Sequence, residues 1–111
     1  MITISTHVLD TTLGTPAAKI PVVLYRVSAD GDALELASGE TNMDGRVPVL
    51  APAGDLVGGD YRLCFDVAGH FGGRESFYST ICIDFIVADT SQHYHVPLLL
   101  SPFGYATYRG S

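Results

Sequence analysis

Short blocks of alternating apolar and polar residues, separated by Gly, Pro, Asp and Asn, predict an all-β sandwich. No long window carries a helical period, and 111 residues suffice for one domain, residues 1–111, but not for two. Seven or eight strands at this spacing close naturally into two stacked sheets.

The first strand is expected over Ile2 to Leu9. Successive strand side chains face opposite ways, so Ile2, Ile4, Thr6 and Val8 share one side while Thr3, Ser5 and His7 share the other. His7 therefore belongs to the more polar face. Val22 to Val27 and Leu34 to Gly39 repeat the alternation. Asn42-Met-Asp-Gly45 is a turn, because Asp and Gly tolerate the angles of a tight reversal, and it displays Arg46 beside the bend. Pro52, Gly54, Gly58 and Gly59 make residues 51–60 a loop.

Strands follow over Tyr61 to Ala68 and Ile81 to Ala88. Between them, the run from Gly69 to Thr80 lacks alternation, and its centre is the single place where one or two helical turns are expected. In His93 to Leu100, parity sets His93, His95 and Pro97 opposite the apolar Tyr94, Val96, Leu98 and Leu100. A final extended segment lies around Tyr105 to Tyr108.

Composition narrows the function. Hydrophobic residues make up 47% of the chain and charged residues 16%, an apolar excess that points to surface covered by other subunits. Six basic against twelve acidic side chains give a charge of -6, which repels nucleic acid and anionic membrane and favours a small-molecule partner. The start of the chain carries no secretion signal and no segment is long enough to span a membrane, so the expectation is a soluble, cytoplasmic protein. In that setting Cys64 and Cys82 are expected to be reduced and unpaired.

Three of the four histidines, His7, His93 and His95, lie on non-core faces of expected strands, and neutral imidazole is the side chain best suited to accept a proton near neutral pH. A His-x-His pair also suits zinc, but the Cys-x-x-Cys or His-Glu-x-x-His patterns that would complete a site are missing. No metal or other cofactor is expected. With no Gly-x-Ser-x-Gly elbow and no cysteine near a histidine in sequence, water is the expected nucleophile. His70, in the irregular segment, reads as an exposed loop residue outside the site. The tail from Tyr105 to Ser111 carries two tyrosines and an arginine where termini usually fray, which points to an ordered, functional end.

Two stretches carry a family resemblance. Ser5-Thr-His-Val-Leu-Asp10, followed by Gly14-Thr-Pro-Ala17, resembles the amino-terminal signature of the transthyretin-like proteins. His93-Tyr-His-Val-Pro-Leu-Leu-Leu-Ser-Pro-Phe-Gly-Tyr-Ala-Thr-Tyr-Arg-Gly-Ser111 resembles the closing signature of their hydrolase branch. Asp44-Gly-Arg46 and Gly59-Asp-Tyr-Arg62 stand in the expected order between them. Departures are few: Ala106 stands where many relatives have serine, and Tyr78-Ser-Thr80 where proline is frequent.

The resemblance implies a prealbumin-like sandwich of two four-stranded antiparallel sheets with one short helix, assembled as a homotetramer whose sites lie at the dimer–dimer interface. It implies hydrolysis of the ring amide of 5-hydroxyisourate to 2-oxo-4-hydroxy-4-carboxy-5-ureidoimidazoline. His7, Arg46, His95 and Ser111 take the catalytic positions, and His93, Tyr108, Arg109 and Gly110 those that bind substrate. Which histidine is the base stays open. The alternative is a non-catalytic carrier of a small ligand, a branch that has lost these histidines and the terminal tetrapeptide.

Overall fold

In this computed structural model, which describes residues 3–50, 56–89 and 91–111, the alternating blocks become strands. They are β1 (Thr3–Asp10), β2 (Thr15–Pro16), β3 (Pro21–Val27), β4 (Ala33–Glu40), β5 (Arg46–Val47), β6 (Gly59–Asp66), β7 (Thr80–Val87), β8 (His93–Ser101) and β9 (Gly104–Thr107). One helical turn, α1 (Ala68–Phe71), sits at the start of the segment that lacked alternation. Ile2 of the first expected strand and residues 51–55 of the expected loop lie outside the described residues.

One sheet runs β2-β1-β8-β9, with β5 also on β1, and the other runs β4-β3-β6-β7. The expected sandwich holds, with two differences. The first sheet has five strands because β2 and β5 share one edge of β1 end to end, each too short to show a period in sequence. The pairing is also not wholly antiparallel, since β1 and β8 run parallel over eight rungs from Thr3↔His93 to Asp10↔Leu100. Parallel neighbours need a long crossover, and here the whole second sheet supplies it.

The faces follow the alternation. Ile4 and Val8 of β1, Val22 and Leu24 of β3, Tyr61, Leu63 and Phe65 of β6, and Leu98 and Leu100 of β8 are fully buried between the sheets. Each such side chain contributes about 1.5–3 kcal/mol. Thr3, Ser5 and His7 of β1 and His93 and His95 of β8 stand on the opposite face of their sheet. That face carries the candidate site.

Two expectations are corrected. Cys64 and Cys82 are not unpaired: they occupy one rung of β6 and β7, with Cα atoms 4.1 Å apart, and form a disulfide. The rung is set by the core pairs on either side, Leu63↔Ile83 and Phe65↔Ile81, which no spacing of the cysteines themselves reveals. His70 is not an exposed loop residue. Its Nε2 lies 2.7 Å from Asp10 Oδ2, and Arg74 Nη2 donates to the same oxygen at 2.9 Å. α1 places it there because Phe71 is buried and holds the turn against the sandwich.

Asp10 is fully buried at the end of β1, and its other oxygen accepts the N–H groups of Thr12 and Leu13. Burial alone would raise its pKa, but the bonds from His70, Arg74 and Leu13 outweigh it and hold the carboxyl at about 2. A depressed carboxyl stabilises the fold above its unfolded value and loses that contribution as pH falls from about 4 to about 2. Here the contribution is about 2 kcal/mol. In Asp10→Ala, urea denaturation at pH 7 is expected to show a loss of about 3–5 kcal/mol, because the Arg74 guanidinium loses its buried counter-charge and His70 its hydrogen-bond partner. A loss below about 1 kcal/mol would show that the cluster does not anchor β1.

Candidate active site

The site begins with the parallel register. Ser5 stands beside His95 and Thr3 beside His93, so side chains about 90 positions apart in the chain share one outward face. Ser5 Oγ lies 2.7 Å from His95 Nδ1 and 2.8 Å from His93 Nε2. Thr3 Oγ1 hydrogen-bonds His93 Nδ1.

Arg46 arrives from the other edge of β1. It pairs in register with His7, and Val47 pairs with Thr6 and turns into the core. The turn that delivers it is the expected one. Asn42 Oδ1 accepts the N–H groups of Asp44 and Arg46 at 2.9 and 3.0 Å, and Gly45 adopts a φ of 75°. Gly45 also lies so close to β1 that a Cβ there would sit 2.4 Å from the Val8 carbonyl oxygen. Only glycine satisfies both demands.

The tail completes the ring of residues. Pro97 has no N–H to give to the ladder, so β9 leaves β8 after Leu98↔Thr107. The chain rejoins in the same register at Gly110, whose N–H donates to the His95 carbonyl at 2.8 Å. Gly110 lies flat against the His95 ring; a Cβ there would be 2.5 Å from Cδ2.

A cavity of about 280 Å³ results, lined by Ser5, Thr6, Arg46, Pro48, His93, His95 and Ser111. Its electrostatics favour a neutral His95. Burial first, then the charge of Arg46 and the neighbouring His7 and His93, hold this imidazole below its ordinary pKa. With Nδ1 engaged by Ser5, Nε2 is the nitrogen left without a protein partner among the described residues. Such a group can take a proton from water, while the guanidinium beside it can meet a developing negative oxygen.

The HIUase/Transthyretin family matches residues 4–110. The chain belongs to this family. A family relative, the 5-hydroxyisourate hydrolase of Deinococcus radiodurans, is 44% identical over 114 residues, spanning 97% of this chain and 95% of its own. The solved Klebsiella pneumoniae 5-hydroxyisourate hydrolase aligns with a TM-score of 0.82 at 39% identity, over 100% of this chain and 94% of that one. Transthyretin from Sparus aurata aligns with a TM-score of 0.87 at 29% identity, over 96% and 95%.

Of the residues expected from the family resemblance, Arg46, His93, His95 and Ser111 line one cavity, with Gly110 pressed on His95 and His7 cross-strand from Arg46. Tyr108 and Arg109 stand elsewhere in the single chain. They line a neighbouring hollow of about 330 Å³ with Ile83, Phe85 and Tyr94. The Arg109 guanidinium lies 4.7 Å from the centre of the Tyr94 ring and donates to Gln92 Oε1, so the pair anchors the tail. Sequence reasoning missed Ser5 and Thr3 as site residues. Parity had put both on the face of His7, and that was the signal available.

Two measurements check the geometry. In Arg46→Ala the His95 titration midpoint, followed by NMR, is expected to rise, because removing a neighbouring cation favours the imidazolium; an unmoved midpoint would separate the two residues. In Gly110→Ala the His95 ring resonances are expected to shift, because the added Cβ would sit 2.5 Å from Cδ2 and the ring or the tail must give way. Unchanged resonances would mean that the tail does not press on the ring.

Proposed function

We propose that this protein hydrolyses the ring amide of 5-hydroxyisourate, a step of urate breakdown. The observation that carries the reading is the convergence of two imidazoles, a guanidinium and the Ser111 hydroxyl on one cavity. The names of the similar hydrolases support the substrate.

Hydrolysis adds a hydroxyl to the amide carbon and a proton to the ring nitrogen. His95, kept neutral by burial and Arg46, takes the proton from water through Nε2 and returns it to the leaving nitrogen. His7, on the same rung as Arg46, helps to hold the water. Arg46 donates to the carbonyl oxygen as charge develops, and its permanently protonated fork needs little reorganisation to do so. Ser111 supplies a hydroxyl that accepts from substrate N–H groups. Tyr108 and Arg109 serve the substrate site by fixing the tail that carries Gly110 and Ser111.

The protein acts in the cytoplasm as a homotetramer, with sites completed at the dimer–dimer interface. Support comes from the parallel pairing, which brings the ends of β1 and β8 together and leaves Leu13 and Phe103, 57% and 64% exposed, at the same end of the sheet. Exposed apolar side chains so grouped mark an association surface.

The test is ultraviolet decay of freshly prepared 5-hydroxyisourate. His95→Ala, Arg46→Ala and a chain lacking Tyr108 to Ser111 are each expected to lose about 10²–10⁴-fold in rate. Wild-type rates in all three would remove the assignment, and retention of the compound without decay would favour a carrier.

A further inference from the structure

Both ring nitrogens of His93 are taken by hydroxyls, Nδ1 by Thr3 and Nε2 by Ser5. The same Ser5 oxygen reaches His95 Nδ1. One hydroxyl, on a residue only 5% exposed, therefore bridges two imidazoles that lie within 18° of parallel. A hydroxyl has one proton to donate. Between two nitrogens it donates to one and accepts from the other, so the chain Thr3, His93, Ser5, His95 has two directions. The direction decides which nitrogen of His95 carries its proton.

We propose that the Ser5 hydroxyl joins His93 and His95 into one proton relay that sets the His95 tautomer and connects the cavity to the exposed Thr3–His93 end. Its catalytic consequence rests on the hydrolase reading; its effect on the tautomer does not. Before attack, His95 Nδ1–H donates to Ser5, Ser5 O–H to His93 Nε2, and His93 Nδ1–H to Thr3. When His95 Nε2 takes a proton from water, the Nδ1 proton passes to Ser5 and the Ser5 proton passes to His93 Nε2. The His93 Nδ1 proton passes to Thr3, whose own proton goes to solvent. Each relay group gains one proton and loses one. The same chain runs backward when the leaving nitrogen is protonated.

The surroundings give the relay a purpose. The charged and titratable groups around His95 are Arg46 on β5, His7 on β1 and His93 on β8. Burial and Arg46 both disfavour a lasting imidazolium at His95, and the relay lets the positive charge leave through the exposed His93 and Thr3 to solvent. His93, for which the resemblance implied substrate contact, is thereby a positioning residue that acts through Ser5.

Two variants test this. Ser5→Ala removes the bridge, whereas His93→Gln keeps a hydrogen bond to Ser5 but passes no proton. Nitrogen NMR of the wild type is expected to show His95 protonated on Nδ1 and its signals moving as His93 titrates. In Ser5→Ala the two rings titrate independently and the tautomer shifts. With 5-hydroxyisourate, both variants lower kcat by about tenfold or more, leave KM within about twofold, and reduce the solvent deuterium isotope effect. Independent titration in the wild type, or His93→Gln with full kcat and isotope effect, overturns the relay. A wild type that leaves 5-hydroxyisourate intact ends the hydrolase reading, while the NMR result still decides the relay. Should Ser5→Ala fail to fold, His93→Gln, altered at an exposed residue, carries the test.

Discussion

Parallel pairing of β1 with β8 is the interaction on which the structure depends. It joins strands separated by some 80 residues, so its loop-closure cost is met only when the second sheet is in place between them. The same eight rungs serve two ends. Inward, they pack Ile4, Val8, Leu98 and Leu100 into the core; outward, they set Ser5 against His95 and Thr3 against His93. A slip of one residue would send the histidines inward and the leucines to solvent. The hydrophobic core thus enforces the register of the polar site.

Around that pair, each remaining part of the site is delivered by a local backbone constraint. Gly45, at positive φ and in contact with the Val8 carbonyl, lets the turn close tightly enough for Arg46 to pair with His7. Pro97 interrupts the β9 ladder, and Gly110 re-enters where only a residue without a side chain fits beside the His95 ring. At the far end of β1, Asp10 ties the strand to His70 of α1 and to Arg74 just beyond it. The strand that carries Ser5 and His7 is therefore pinned along its length and at its end.

A fold of this kind hosts unlike functions, so the sandwich by itself argues for no chemistry. What argues for it here is the outward face. Imidazoles and a guanidinium gathered in a small cavity are costly to maintain, because burial and like charges act against protonated His95. A surface serving only to hold an apolar ligand has no need of that arrangement.

The period-two alternation is a local property, and so the chain alone determined the longer strands, their faces, the turn before Arg46 and the placing of His7, His93 and His95 away from the core. The terminal residues were legible through their resemblance to a known signature. Which rung faces which was not legible, because register between distant strands is decided by how two apolar faces pack. That is why the Ser5 bridge, the approach of Gly110 to His95, the Cys64–Cys82 disulfide and the Asp10–His70 contact emerged only with the tertiary structure. Each joins residues from separate segments, and neither residue of such a pair bears a local mark of its partner.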